Sequence, residues 1–200
     1  MHSFLMLPMQ RITRLPLLVN AIYERLNAEH DGEENPEYET CKEALDTLNK
    51  LVKECNESAR SMERMEELLI LSQQLDFRDV RAVPLISASR WLVKRGEPTR
   101  LWWRENSEAK LTFGRSKVNR QPLCLFLFTD MLVITRKKNE ENYLVMDHCP
   151  RNLVTLVELD SRDGIPGGGK YLSEQENHLA WLTLLQNHEN KTLEWLISFR

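Results

Sequence analysis

Residues 36–72 read PEYETCKEALDTLNKLVKECNESARSMERMEELLILS, and apolar residues recur along this stretch at alternating steps of four and three. The recurring residues are Cys41, Leu45, Leu48, Val52, Cys55, Ala59 and Met62. This spacing predicts one face of a single helix, for which Asn35 and Pro36 are a suitable cap and first residue. No glycine or interior proline interrupts the pattern. Such a helix would extend about 55 Å at about 1.5 Å per residue, so we expect it to protrude or to connect two units.

A second helix is predicted before this one, over residues 3–28, where apolar side chains are too frequent for a one-sided surface helix. Most of this helix should therefore be buried. Pro16 lies inside the pattern, so we expect a kink there or the start of a new helix. A polar loop at residues 29–35 separates the two helical stretches.

The second half of the chain has the periodicity of β-strands. Predicted strands fall at residues 90–96, 99–103, 123–128, 131–135, 143–146, 153–157, 180–185 and 192–197. Thr129 and Asp130 form a tight turn between two of them. Short strands at near-regular spacing predict an antiparallel sandwich or barrel.

Charge is distributed unevenly along the chain. Residues 1–84 carry 10 Lys or Arg against 16 Asp or Glu, whereas residues 85–200 carry 17 against 14. With 42% apolar and 28% charged residues the chain can bury a core, which argues against disorder. No apolar run reaches the length of about 18 residues that a transmembrane helix needs. The two halves are therefore predicted to be two different folded units.

Motifs for covalent catalysis or metal binding are missing from the sequence. The four cysteines, at positions 41, 55, 124 and 149, form no Cys-x-x-Cys pair, and no histidine spacing completes a zinc set. Residues 165–170, IPGGGK, lack the spacing of a phosphate-binding loop, and no Gly-x-Ser-x-Gly motif occurs. We therefore predict reduced cysteines, no metal or cofactor, and no enzyme that makes or breaks covalent bonds.

Residues 90–120 form a cationic segment, with nine Lys or Arg against three Glu. An anionic membrane surface is one candidate partner, because each basic residue near such a surface contributes about 1 kcal/mol. Nucleic acid is not expected as a partner, since the pI is about 6.0 and no aromatic-rich RNA motif occurs. The alternative is ordinary solvated loop charge.

Residues 8–19 read PMQRITRLPLLV. This segment resembles the third conserved region of the Dbl-homology domain of Rho-family guanine-nucleotide exchange factors, whose pattern is roughly Pro-x-Gln-Arg-x-x-Arg-Tyr-x-Leu-Leu-Leu. Leu15 replaces the usual Tyr, and Leu15-Pro16 is similar to the ephexin subfamily. Residues 55–60, CNESAR, resemble the Asn-Glu-x-x-Arg stretch of the family's last Dbl-homology helix. Residues 125–132, LFLFTDML, resemble a strand hairpin of the pleckstrin-homology domain that follows it.

The resemblance implies an α+β fold. The helical C-terminal portion of a Dbl-homology domain, with one long helix, would be followed by an antiparallel β-sandwich or barrel of pleckstrin-homology type. The implied boundaries are a partial Dbl-homology domain at residues 1–72, a linker at 73–89, and a pleckstrin-homology domain at 90–200 that lacks its C-terminal helix. The family's first conserved region would precede Met1.

In this family the Dbl-homology domain binds the switch regions of a Rho GTPase and expels GDP and magnesium. The resemblance implies that Arg14 and Asn56 face the second switch region of the GTPase. It also implies that Gln10 and Arg11 are structural and tie the helices together.

Phosphoinositide-binding members place a Lys in the first strand and a basic pair in the second. Lys94, Arg95 and Arg100 are therefore candidate lipid-binding residues, although Trp102 occupies the place of the second residue of that pair. Because of this substitution, we expect weak membrane attraction rather than tight headgroup binding.

The implied function is stimulation of GDP release from a Rho-family GTPase, without covalent chemistry. The 200-residue chain alone is expected to be weak or inactive, because a complete Dbl-homology domain needs about twice this helical length. The alternative is a non-catalytic adaptor that binds membrane or protein through its pleckstrin-homology domain. Either function predicts a cytoplasmic protein that can lie peripherally at the plasma membrane.

Overall fold

The computed structural model describes residues 2–28, 36–103, 118–159, 165, 172 and 178–199. The chain divides into two compact units, Met1–Glu63 and Arg64–Arg200. This division falls inside the long helix, whereas the predicted domain boundary followed residue 72, and the boundaries at 72 and 89 stay predictions. The predicted loop at 29–35 and the basic residues between 104 and 117 lie outside the described residues.

Two helices, α1 (His2–Ala28) and α2 (Pro36–Gln74), supply the first unit. Half-buried residues recur along both helices at steps of three and four. They include Met9, Ile12, Pro16, Val19, Tyr23 and Leu26 on α1, and Tyr38, Cys41, Leu45, Leu48, Val52 and Cys55 on α2. Such stripes are typical of two helices packed along their length, and we call the contact between them the seam. Helix α1 continues through Pro16, so the new helix that was one of the two expectations there does not form.

Two contacts fix the direction of this packing. The Cys41 thiol donates a hydrogen bond to the carbonyl oxygen of Val19 over 3.6 Å. The hydroxyls of Tyr23 and Tyr38 lie 2.6 Å apart, and their rings are stacked with centroids 5.0 Å apart. Residue numbers rise along one helix as they fall along the other, so the helices are antiparallel.

The predicted stripe of α2 is confirmed as far as Cys55 and again at Leu68 and Leu71, which are buried, but it is wrong at the two residues between. Ala59 is exposed, and the side chain of Met62 is 75% exposed. In the antiparallel register, no described residue of α1 lies opposite Met62.

The tyrosine pair offers a test of the seam. Tyr38→Phe removes the hydrogen bond that raises the pKa of Tyr23, and we expect the melting temperature of the far-ultraviolet helical signal to fall by a few degrees. Tyr23→Phe removes the same bond, so the double variant should lose no more than either single variant. Additive losses would show that the two hydroxyls act independently.

The described residues of the second unit form ten strands in two sheets of five. The strands are β1 (Leu75–Asp76), β2 (Leu92–Gly96), β3 (Thr99–Trp103), β4 (Val118–Pro122), β5 (Cys124–Phe128), β6 (Met131–Lys137), β7 (Tyr143–Pro150), β8 (Val154–Glu158), β9 (His178–Leu184) and β10 (Leu193–Phe199). One sheet has the order β1-β7-β6-β5-β2 and the other β4-β3-β10-β9-β8. All pairs among the described strands are antiparallel except β1 with β7. The predicted strand segments are confirmed, and only β1 and β4 were not predicted.

Strands β2 and β3 follow one another but belong to different sheets. Strand β2 pairs with β5, and β3 pairs with β4. The chain changes sheet at Pro98, which is fully buried and whose carbonyl oxygen accepts a hydrogen bond from the backbone N–H of Leu123 over 2.9 Å. Strands β2 and β3 thus form one arm of a bent hairpin, and β4 and β5 form the other. This hairpin passes from one sheet into the other.

The first sheet is buried on both faces. One face packs against the second sheet through residues such as Leu132 and Ile134. The other face, which includes Phe126 and Val133, is covered by Leu68 of α2 and by the segment that follows this helix. Burial on both sides explains why β5 and β6 are nearly continuous apolar runs.

Neither α1 nor α2 combines the length and the apolar character that a membrane-spanning helix needs, and no other described helix does.

Candidate binding surfaces

Helix α1 has a second stripe, on the side away from the seam, which we call the outer face. Its residues are Leu7, Arg11, Arg14, Leu18 and Ile22, again at steps of three and four. All five are exposed, and Leu18 is 63% exposed, so the expectation that most of this helix is buried is wrong. An exposed apolar stripe with interleaved cations is suited to a protein partner that supplies apolar and acidic groups.

The structure places the two predicted GTPase-binding residues apart. Arg14 lies on the outer face of α1, and Asn56 lies on α2 directly after the seam residue Cys55, with an exposed side chain. The register of the seam puts Arg14 opposite residues near 47, so the two residues are separated by about 13 Å along the helix axis. A ligand that contacts both residues must therefore span at least this distance.

The predicted structural residues, Gln10 and Arg11, are also exposed. In the described ranges, neither side chain makes a hydrogen bond to α2, so their role in tying the helices together stays a prediction. Thr13, between them and Arg14, donates from its hydroxyl to the carbonyl oxygen of Met9 over 3.0 Å, which is a local helix contact.

The predicted lipid-binding cations do not form a cluster. Lys94 is exposed on β2. The neighbouring Arg95 donates from Nη2 to the hydroxyl of Tyr143 over 2.6 Å and to Oε1 of Glu97 over 2.9 Å. Its guanidinium also lies over the rings of Tyr143 and Phe126. Arg95 is therefore committed to contacts within the protein.

Arg100 lies on β3, in the other sheet. Its guanidinium is half-buried and lies 4.3 Å from the ring centroid of Trp195 and 5.5 Å from that of Trp102. Burial lowers the pKa of Arg100, since desolvation penalises the charged form. Trp102 stands where the expected pattern has a basic residue. Its ring instead contacts the guanidinium of Arg100.

Sequence spacing did not reveal a cavity in the second unit, bounded by Arg81, His148 and His188. These residues lie on three segments that only the folded sheets bring together. Among the described residues, no group of three or more His, Cys, Asp or Glu could hold a metal ion. All four cysteines are free thiols.

Comparisons with known proteins support an architecture of helices followed by sheets. The RhoGEF domain model matches residues 1–56. Human Rho guanine nucleotide exchange factor 26 is 41% identical over 204 residues, which cover 98% of this chain and 22% of that protein. Ephexin-1 of Rattus norvegicus is 40% identical over 198 residues, covering 98% of this chain and 25% of that protein. The chain thus spans about a quarter of the length of these relatives.

A solved structure shows the same fold. The complex of the PDZ-RhoGEF DH/PH domains with GTP-gamma-S-activated RhoA matches with a TM-score of 0.55, 18% sequence identity, and coverage of 100% of this chain and 51% of that one. The expected α+β fold, with helices of the Dbl-homology type followed by sheets of the pleckstrin-homology type, is confirmed. The chain belongs to the Dbl family of Rho guanine-nucleotide exchange factors and is similar to its ephexin members.

Proposed function

We propose that this chain is part of an exchange factor that stimulates GDP release from a Rho-family GTPase. The observation that carries the proposal is 41% identity to a Rho guanine nucleotide exchange factor across 98% of the chain. Such a factor makes and breaks no covalent bond. It binds the nucleotide-free GTPase more tightly than the GDP-bound form, and this difference in affinity speeds release.

Arg14 and Asn56 are the residues through which we propose that the GTPase is bound, at its second switch region. The outer face supports this role for Arg14, because a guanidinium among exposed leucines can pair with a carboxylate that the partner buries around it. The separation of Arg14 and Asn56 suits an extended protein interface. Neither a cofactor nor nucleic acid has a part in this function.

The function is tested in a chimera, because the chain spans only part of its relatives. The 200 residues replace the matching segment of Ephexin-1, to which they are 40% identical. GDP release is then measured with a panel of Rho-family GTPases. We expect the chimera to accelerate release from at least one member, whereas a folded chimera that accelerates none would contradict the proposal. Adding the isolated chain to the same assay measures its own activity.

Arg14→Glu in this chimera should reduce the rate of GDP release at least about tenfold, because a reversed charge at the centre of an interface leaves the partner's carboxylate unpaired. Arg25→Glu is the matched control, with the same charge change on an exposed position of the same helix. If both variants lose activity equally, the effect is general electrostatics, and Arg14 is not part of the binding site.

A second candidate function is a membrane adaptor of the cytoplasm, recruited peripherally to the plasma membrane. The exposed Lys94 favours it, while the internal contacts of Arg95 and Arg100 weaken it. This function predicts salt-sensitive binding of the chain to phosphatidylserine vesicles, lost when the three cations are replaced by glutamine. Binding that does not depend on salt or on these residues would exclude it.

A further inference from the structure

A cavity of about 400 Å³ lies where strands β3 and β10 separate. The two strands pair over Thr99–Leu101 and Leu196–Ser198. Strand β3 continues to Trp103 and β10 begins at Leu193, yet no further pair joins these two strands among their described residues. We call this cavity the tryptophan cleft, and its aromatic and charged lining consists of Arg100, Trp102, Trp103, Trp181, Glu194 and Trp195.

Four indole rings line the tryptophan cleft, and they come from both faces of the sheet. Side chains alternate between the faces along a strand, so Trp102 shares a face with Arg100 and Trp103 lies on the opposite face. Trp195 also lies beside Arg100, with 4.3 Å between its ring centroid and the guanidinium. Trp181 packs against the same hydrophobic cluster as Trp103. All of these indoles except that of Trp195 are partly exposed, so a ligand can reach them.

The indole nitrogen of Trp103 is buried without a hydrogen-bond partner. Among the described residues that are not exposed, it is the one buried side-chain nitrogen or oxygen for which this holds. An indole N–H can only donate, and a buried donor without an acceptor costs free energy. A ligand that presents an acceptor in the tryptophan cleft removes this cost.

The guanidinium of Arg100 also lacks acceptors. It is half-buried and contacts the rings of Trp102 and Trp195, but in the described part of the chain it makes no hydrogen bond and no ion pair. Burial lowers the pKa of Arg100, and no described carboxylate offsets this effect. A guanidinium carries five N–H donors and no acceptor. Both Trp103 and Arg100 therefore call for a ligand that supplies acceptors.

One carboxylate, that of Glu194, also lines the tryptophan cleft. Its side chain is exposed, and it forms no ion pair with a described lysine or arginine. Glu194 balances the charge of Arg100, so no net charge selects an anion. The ligand is selected instead by its hydrogen-bond acceptors, and a positive charge on it can pair with the exposed carboxylate.

We propose that the tryptophan cleft binds a proline-rich segment of a partner protein, in which a lysine or arginine lies beside the prolines. Proline has no backbone N–H, so a polyproline II segment presents carbonyl acceptors and few donors. This composition complements the donors of Trp103 and Arg100. Proline-rich segments bind in aromatic-lined grooves, and the basic residue pairs with Glu194. The proposal does not depend on the exchange function.

The test is titration of the full chain with a synthetic peptide in which an arginine precedes a run of prolines, monitored by tryptophan fluorescence. Four of the five tryptophans line the tryptophan cleft, so binding there should change the emission. We expect saturable binding with a Kd of about 100 μM or below. A peptide with glycine in place of every proline keeps the charge but loses the extended conformation, and it should bind at least about tenfold more weakly.

Two substitutions remove the unpaired donors. Trp103→Phe keeps an aromatic ring but lacks the indole N–H, and it should weaken peptide binding about fivefold. Arg100→Met keeps an unbranched side chain but lacks the guanidinium, and it should weaken binding about tenfold. Trp91→Phe is the matched control, because Trp91 does not line the tryptophan cleft, and it should leave binding within about twofold. Equal weakening by Trp103→Phe and Trp91→Phe would overturn the proposal.

Glu194→Gln tests the pairing with the basic residue. It should weaken binding of the arginine peptide about threefold and leave binding of a peptide with glutamine in place of arginine unchanged. Equal effects on the two peptides would contradict recognition of a basic residue. Glu194 is exposed, so its replacement should not disturb the core, and backbone amide spectra establish that each variant is folded.

Two competing ligands distinguish a proline-rich segment from an anion. A glutamate-rich peptide of the same length and phosphatidylserine vesicles are titrated in the same way. Both should bind more weakly than the arginine peptide, because Glu194 repels them. Tighter binding of either would assign the tryptophan cleft to an anionic ligand and exclude the proposal, as would a proline peptide that shows no saturable binding.

Discussion

Phe126→Ala should lower the free energy of unfolding of the second unit by about 4 kcal/mol. The side chain of Phe126 is 0% exposed and packs in the cluster that α2 and the following segment make with the first sheet. Its ring meets that of Tyr143 edge to face, with centroids 5.2 Å apart. Truncation removes this contact and leaves a cavity that the two covered faces of the sheet cannot close.

The loss is measured by urea unfolding monitored by tryptophan fluorescence. All five tryptophans lie between residues 91 and 195, so the signal comes from the second unit. Phe77→Ala is the matched control, because Phe77 packs only at the margin of the same cluster. It should cost less than half as much as Phe126→Ala, and equal losses would mean that depth in the cluster does not set the cost.

Arg90→Ala should lower the free energy of unfolding of the second unit by about 3 kcal/mol. The side chain of Arg90 is only 10% exposed and makes its pair of bonds to Asp130 together with bonds from Nη1 to the carbonyl oxygens of Pro84 and Leu85, at 2.6 and 3.2 Å. One guanidinium thus ties the segment after α2 to the turn between β5 and β6. Its removal leaves a carboxylate and two carbonyls without a donor.

Arg90→Lys separates charge from geometry. Lysine keeps the positive charge but cannot make the planar pair of bonds to Asp130 while reaching both carbonyls, so we expect it to recover less than half of the loss. Arg78→Ala removes an exposed arginine that pairs with Asp76 over 3.1 Å, and it should change the stability little. Full recovery by lysine would show that charge alone matters at position 90.

The Arg90 pair also makes stability depend on pH. The hydrogen bond from Arg90 lowers the pKa of Asp130 in the folded protein. A carboxyl group with a lowered folded pKa stabilises the protein above its unfolded pKa, and this stability is lost as pH falls through the folded pKa. The difference between the native protein and Arg90→Ala should therefore be full at pH 7 and should shrink below about pH 4. A constant difference would mean that Asp130 keeps its ordinary pKa.

The outer face of α1 and the segment that carries Arg81 differ in how closely they depend on a packed core. The outer face stands on a helix whose own packing is limited to the seam, so Arg14 can be replaced without disturbing a core. Arg81, in contrast, is carried by the segment that Arg90 holds at Pro84 and Leu85. We therefore expect Arg90→Ala to displace the segment that carries Arg81 as well as to destabilise the unit.

Local patterns in the sequence determined the helices and most of the strands. Helix hydrogen bonds join residues four apart. The steps of three and four from Cys41 to Cys55 therefore indicate both the helix and the face that it buries. The hairpin at Thr129 and Asp130 is equally local, because its two strands adjoin the turn. The family resemblance rested on short segments of the same kind.

Only the tertiary structure decided which distant residues meet. It left Met62 exposed although this residue continues the periodic stripe, since burial requires a partner on the opposite side. It placed β2 and β3 in different sheets, because each pairs with a strand that lies further along the sequence. It also committed Arg95 to Tyr143, 48 residues away, and brought His148 to Arg81, 67 residues away. Contacts of this kind leave no periodic trace in the sequence, because they follow from the packing of whole sheets rather than from the spacing of neighbours.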